Sequence, residues 1–375
     1  MRILHLHSSF DAGGKELRAV RLMTLFGPVI AHTIVSAQPQ ALGASAAVDP
    51  RLAVSYPQDF PPLAGPLRPG RLHALARAMA GHDLVLTYNW GAMDAVMAHT
   101  LFGQALSLPP LVHHEDGFNE DEALRLKPQR NWYRRIGLGR AAGLIVPSHR
   151  LEGIALETWH QPRWRVRRIA NGIPTAAYAK KPRPDALPRV IKRKGELWLG
   201  TLAGLRAVKN LPRLVRAFAA LGEEWQLVIL GDGPEREAIR ETAIALEIGH
   251  RVHLPGFVAD PAAVLGLFDL FALSSDSEQF PISVVEAMAA GLAVAAPAVG
   301  DVAAMVAPEN APFIVAPGRD DTLAQALATL AADPALRRRV GEANRARARA
   351  EYDETAMLAA YRAAYGAALG RDGFP

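Results

Sequence analysis

The stretch SSDSEQFPISVVEAMAAG, residues 274–291, holds two carboxylates, Glu278 and Glu286, on either side of Pro281. Pro281 suits the first turn of a helix, where its missing N–H would be unpaired anyway. Gly291 suits the stop. The spacing predicts a helix over about 281–290, with Glu278 in the loop before it and Glu286 on its second turn. The first-turn amides of Ile282, Ser283 and Val284, together with the helix dipole, attract a phosphate. The carboxylates would then serve hydroxyls, and Glu286 in particular could bind a ribose diol. A plainer reading has Glu286 bonded to neighbouring backbone and Glu278 solvated at a helix start. Upstream, GTLAGLRAVKNLPRL sets Arg206 and Lys209 between a strand and a helix beginning near Leu211, with Asn210 as its expected N-cap. Two cations at a strand's C-terminal end fit a diphosphate, Arg as a fork and Lys as a point charge. An ordinary basic surface turn is the alternative.

In the first half, LVHHEDGFNEDE ends a strand with His113, followed by His114, Glu115 and Asp116. Adjacent side chains on an extended chain point apart, which disfavours a metal site from the two histidines. His113 is then either an active-site residue or a structural histidine. No paired aspartates stand at a strand end as metal ligands, since Asp276 lacks a second aspartate two positions away.

Short apolar strands alternating with amphipathic helices must position these groups. Residues 1–6, 83–87, 110–113 and 143–146 read as strands of one series, and 197–201, 226–230, 252–254, 270–273 and 292–295 as a second. Near-continuous apolar strands in βα repetition predict parallel sheets buried on both faces. The fold class is therefore α/β, two Rossmann-like domains in tandem facing across a cleft, with ligands beyond the C-terminal strand ends. The expected division is 1–175, a basic linker 176–195, 196–352, and a C-terminal helix and tail 353–375 that can cross back to the first domain. The linker expectation rests on seven basic residues and three prolines between Lys180 and Lys194. Asp353 suits the N-cap of the last helix.

At 375 residues the chain exceeds what one core usually holds. The absence of cysteine excludes disulfides, thiolate metal sites and thiol nucleophiles. No run of eighteen apolar residues exists, and the N-terminus has too short an apolar stretch for a secretion signal. A cytoplasmic protein is expected. A net charge of +5 suits anionic partners. The basic stretch from Leu124 to Arg140, with Trp132 and Tyr133, could lie on the inner face of an anionic membrane or form a solvated helix face.

The pattern S-x-x-E-x-F-P-x-S-x-x-E-A-M-A-A-G with an upstream K-N pair resembles the retaining glycosyltransferases of family 4, also called group 1, with the GT-B fold. Gly13-Gly14, Asn171-Gly172-Ile173, Gly231-Asp232-Gly233-Pro234 and Leu254-Pro255-Gly256-Phe257-Val258 resemble further motifs of that family, in its order. The resemblance implies transfer of a sugar from a nucleotide-diphosphate sugar to a saccharide or lipid-linked acceptor, with no cofactor, no metal and no nucleic acid. It implies that Arg206 and Lys209 bind the diphosphate, that Glu286 holds the ribose and that Glu278 contacts the sugar. Phe257 and Val258 would receive the base. Phe280, Pro281, Ile282 and Ser283 would line sugar and phosphate, while Gly14 and Gly231 would border the donor. His113 would stand near the sugar, with Gly13, Asn89 and Glu115 on the acceptor side. Two departures stand out: Gln279 where the family has glycine, and Gly204 where it often has arginine, for which Arg206 is the substitute.

Two other readings compete. One keeps the fold for a nucleotide-sugar epimerase or a phosphorylase-like enzyme, separated by product analysis with and without acceptor. The other is a non-catalytic anion-binding module; only 7% aromatic residues and no nucleic-acid motif speak against a nucleic-acid groove.

Overall fold

A computed structural model describes the chain except Asn119, Ala123 and Leu124, and gives Glu120 as backbone only. Leu124, where the basic stretch begins, thus lies outside the described residues. The chain divides into two compact units, 1–171 with 357–375, and 172–356.

The first unit is built on seven parallel strands, β1 (Arg2–His7), β2 (Ala31–Ser36), β3 (Ala53–Ser55), β4 (Leu84–Tyr88), β5 (Leu111–His114), β6 (Gly143–Val146) and β7 (Val166–Arg168). They are ordered β3-β2-β1-β4-β5-β6-β7. Its helices are α1 (Gly14–Phe26), α2 (Pro69–Met79), α3 (Met93–Phe102), α4 (Pro128–Gly137) and the short α5 (His149–Gly153). The strands bury both faces. Leu4, Leu6 and Val85 pack with α2 and α3, while Ile3, Leu84 and Leu86 pack with α1 and residues 357–374. The apolar runs without period-2 alternation follow from this double burial.

The second unit has six parallel strands, β8 (Leu197–Leu202), β9 (Trp225–Leu230), β10 (Val252–Gly256), β11 (Leu270–Ala272), β12 (Val294–Pro297) and β13 (Ile314–Val315), ordered β10-β9-β8-β11-β12-β13. Its helices are α6 (Leu211–Phe218), α7 (Arg236–Ala245), α8 (Ile282–Ala290), α9 (Val302–Met305), α10 (Asp320–Ala332) and α11 (Pro334–Glu351). The last helix, α12 (Glu354–Ala368), begins in this unit and packs Met357, Tyr361 and Tyr365 into the core of the first. Asp353 accepts the Thr355 amide at 3.1 Å and so caps its start.

Each sheet reverses its strand order once, between β1 and β4 and between β8 and β11. The carboxyl ends on either side of such a reversal diverge and leave a crevice for ligands.

The basic segment read as a linker is instead docked on the second unit. Tyr178 and Leu187 are buried, and Lys192 donates to Asp269 at 2.6 Å. A 3₁₀ turn, Thr175–Ala179, opens the segment, and the prolines and charges beyond it excluded helix and strand but not packing. Apolar residues spaced through an irregular segment can still find a core.

Candidate functional site

The loops after β8 and β11 meet at the order reversal of the second sheet, and they carry Lys209 and Glu278. Lys209 Nζ donates to Glu278 Oε1 at 2.5 Å, and Ser275 Oγ donates to the same oxygen at 2.7 Å. The loops are stitched at backbone level as well. Asp276 N–H donates to the Val208 carbonyl at 2.9 Å and Ser274 Oγ to the Lys209 carbonyl at 2.8 Å. Arg213 ties Asp276 to Asp320 with two bonds of 2.7 Å. Both charged side chains of the pair are therefore held by their neighbours, which is what preorganisation at a site requires.

Lys209 closes a 3₁₀ turn, and Asn210 follows in the left-handed region at φ 43°. Asn210 occupies the N-cap position of α6, but its side chain does not cap it. Its Nδ2 donates to Asp276 instead, at 3.1 Å. The expected cap is thus a loop brace, because an asparagine tolerates left-handed backbone and its amide can reach outward. Arg206 is exposed and has no side-chain partner among the described residues.

The glycines of Gly231-Asp232-Gly233 explain how this turn keeps its place. A Cβ at Gly231, at φ 141°, would stand 1.8 Å from the Ala203 carbonyl oxygen, and one at Gly233 would stand 2.5 Å from that of Leu205. The Leu205 amide donates to Asp232 O, and Glu235 N–H to Leu205 O. The loop after β9 is thereby the floor on which the Arg206–Lys209 turn rests.

Helix α8 begins at Ile282, with Pro281 as N-cap, one residue later than expected, and stops at Gly291 in left-handed geometry, φ 79°. The Val284 amide is bonded to the Pro281 carbonyl at 3.1 Å, so it is not available to a ligand. The amides of Ile282 and Ser283 have no acceptor among the described residues. Gln279 does not occupy the left-handed region, so its backbone makes no demand for glycine. Gly300, at φ 57°, supports it from below: a Cβ there would lie 2.5 Å from Glu278 O and 2.6 Å from Gln279 O. Phe280 is buried edge-on against Tyr352, leaving only its backbone to a ligand.

Glu286 is buried on α8 and accepts the Tyr178 hydroxyl at 2.8 Å. Burial drives its carboxyl up to about 7, against the opposing pull of the Tyr178 bond. Neither reading of the sequence paired it with a tyrosine 108 positions away. Phe257 lies just past the end of the edge strand β10, 64% exposed, beside half-buried Val258. The strands are parallel, so Phe257 stands at the same end of the sheet as Lys209 and Glu278. An exposed aromatic ring at a sheet's ligand end offers a face on which a flat ring can stack.

The first unit places its expected residues differently. His113 and Glu115 are fully enclosed. His113 Nδ1 bonds Thr87 Oγ1 at 2.8 Å, and Glu115 accepts from Arg134 Nε at 3.1 Å. Arg134 also donates to Glu122, and its guanidinium lies within 4.9–5.2 Å of the rings of Trp90, Phe118 and Trp159. His113 thus has one ring nitrogen bonded inside the first unit, while its Nε2, 3.8 Å from Glu115 Oε2, is buried with no hydrogen-bond partner among the described residues, and Glu115 compensates a buried cation. A strand covered on both faces turns every side chain inward, which the sequence position alone did not reveal. Asn89, at φ 57°, holds the next residue instead: its Oδ1 accepts the Asp116 amide at 2.8 Å. Asp116 takes a bidentate bond from Arg18, at 2.5 and 2.9 Å, and Arg18 also reaches Asn171. Gly14 starts α1, with extended Gly13 as its N-cap. Gly91 lets the loop after β4 lie against the loop after β1, since a Cβ there would be 2.5 Å from Ser8 Cβ. Sequence reasoning missed the Arg18–Asp116 pair and Tyr178.

Residues 184–347 match the family described as Glycosyl transferases group 1. The chain is 25% identical over 276 residues to the N-acetyl-alpha-D-glucosaminyl L-malate synthase of Bacillus anthracis, covering 73% of this chain and 71% of that one. It is 30% identical over 174 residues to the lipopolysaccharide core biosynthesis glycosyltransferase LpsD of Rhizobium meliloti, 46% of each. The chain thus spans less than half of LpsD. Among solved structures, Anabaena Alr3699/HepE in complex with UDP superposes with a TM-score of 0.77 at 20% identity, over 96% of this chain and 98% of that one. The two parallel α/β units accordingly have the GT-B fold, and residues 184–347 are similar to the group 1 glycosyltransferases.

Proposed function

We propose that the protein is a retaining hexosyltransferase of family 4. It would move a sugar from a nucleotide-diphosphate donor to a saccharide or lipid-linked acceptor without a metal, in cell-surface polysaccharide or glycolipid synthesis. The observation that carries this reading is the Lys209–Glu278 pair at the order reversal of the second sheet, beside the open amides of Ile282 and Ser283. In this reading the donor's diphosphate is met by Lys209, by exposed Arg206 and by the two amides. Glu286 takes the ribose hydroxyls, and Phe257 with Val258 the base. The bond between the sugar's anomeric carbon and the diphosphate oxygen breaks through an oxocarbenium-like state. The acceptor oxygen bonds the same face of that carbon, and its proton passes to the departing phosphate. Fixed positive potential where the leaving charge grows lowers the barrier, and one such donor contributes about 3–4 kcal/mol. Glu278, on the same loop, faces the developing positive charge of the sugar.

We assign acceptor recognition to the first unit's loops around Gly13 and Asn89. His113 and Glu115 are withdrawn from it because both are enclosed. On α4, Trp132 and Ile136 are 61% and 53% exposed, and Arg135 lies 5.1 Å over the Trp132 ring. Exposed aromatic and basic groups together suit an anionic bilayer surface, and we extend the proposal to peripheral contact there. No helix of the described residues is long and apolar enough to cross a membrane.

A screen of UDP-, GDP-, ADP- and dTDP-sugars by thermal shift, followed by product analysis with candidate acceptors, tests the function. Transfer with retained anomeric configuration supports it. Epimerised donor formed without an acceptor supports the competing enzyme reading and overturns this one.

A further inference from the structure

At the opposite end of α8 from its open amides, the second unit has a cleft of about 540 Å³ lined by Lys180, Lys181, Arg337, Arg338 and Arg345. Its one carboxylate, Asp269, is already bonded to Lys192 at 2.6 Å. Arg337 donates to the Leu330 and Ala331 carbonyls, and Arg345 to the Ala290 carbonyl at 2.7 Å. These partners are neutral; Asp269 and Asp333 act on Arg337 from a distance, and neither guanidinium forms an ion pair among the described residues. The Arg345 Nε is buried without a partner. Gly291 makes room for this guanidinium, since a Cβ there would lie 2.2 Å from Nη2. Lys180, Lys181 and Arg338 are exposed and have no side-chain partner among the described residues.

Five cations around one cavity repel each other, and an anion placed among them relieves that repulsion. The cavity's volume lies in the range that takes small ligands. Buried Arg337 and half-buried Arg345, each tied to backbone carbonyls, supply fixed donors, and the exposed lysines and Arg338 supply mobile ones. We infer that this cleft binds a multiply charged phosphate compound, at a site separate from the one proposed for the nucleotide sugar.

Pyrophosphate is the probe, titrated calorimetrically into the full chain carrying Lys209→Ala, which weakens the diphosphate site proposed on the other end of α8. This protein binds pyrophosphate. Adding Lys180→Gln, Lys181→Gln and Arg338→Gln weakens that binding about tenfold or more with an unchanged melting temperature. Arg338→Gln alone shifts affinity in the same direction should the combined variant misfold. Vesicles of phosphatidylcholine with a fifth phosphatidylglycerol distinguish the source of the phosphate. Competition with pyrophosphate identifies a lipid headgroup, and its absence a soluble phosphate ester. No pyrophosphate binding to the Lys209→Ala protein, or equal binding after the three glutamine substitutions, overturns the inference.

Discussion

Replacing Glu286 with glutamine tests the buried carboxyl on α8. The folded protein holds this proton up to about pH 7, against an ordinary value of 4.5. The folded state therefore binds more protons than the unfolded chain between these values, and its stability falls as pH rises through that window. Above it the full cost of burying the charge is present. The difference corresponds to about 3 kcal/mol at 1.36 kcal/mol per pH unit. Glutamine can still accept the Tyr178 hydroxyl and carries no charge. The variant should match wild type near pH 4.5 and exceed it by up to about 3 kcal/mol above pH 8. Isothermal urea unfolding of both proteins across pH 4.5–8.5 reads this, because other titrating groups, such as Glu16, cancel in the difference. The same ionisation bears on function, since a ribose diol donates its hydroxyls best to the carboxylate. Nucleotide affinity should rise with pH through 7 in wild type and stay flat in Glu286→Gln. A stability difference independent of pH would refute the reasoning.

Further outcomes follow from the packing. Lys209→Ala should lower sugar transfer by roughly 100-fold or more while the protein still folds, as measured by turnover and circular dichroism. Gly231→Ala should cost about 2 kcal/mol or more in urea unfolding and should also weaken nucleotide binding, because its Cβ would displace the Ala203 carbonyl under the Lys209 turn. Arg134→Ala strands Glu115 in the first unit, while Glu122 keeps Arg130, and should cost about 3–5 kcal/mol, read by the same unfolding assay. Transfer should survive a chelator, and a metal requirement would contradict the account of the leaving group.

How much of this the sequence disclosed depends on the range of the interaction. Local signals were legible: Pro281 and Gly291 bracket α8 within a residue, and the apolar strands announce both sheets. Lys209 and Glu278 could be placed at one site, because each follows a strand of the second series, but their mutual bond was not foreseen. Long-range pairing was not legible. Nothing in spacing joins Tyr178 to Glu286 or Arg18 to Asp116. His113 and Glu115 looked like chemistry because polar residues at a strand end usually face ligand. Here a buried arginine in an aromatic cage engages Glu115, while His113 is fully buried and bonded to Thr87. The segment 176–195 misled for the opposite reason, since its charges hide the two side chains, Tyr178 and Leu187, that dock it.

The central claim is that a diphosphate is gripped beside Lys209 and the first amides of α8. Calorimetric titration of the full-length wild type and Lys209→Ala tests it most directly. The ligands are the nucleoside diphosphate that gives the largest thermal shift and its parent nucleoside. The account predicts that Lys209→Ala weakens the diphosphate about tenfold or more and leaves the nucleoside unchanged. Equal diphosphate affinity in the two proteins would contradict it.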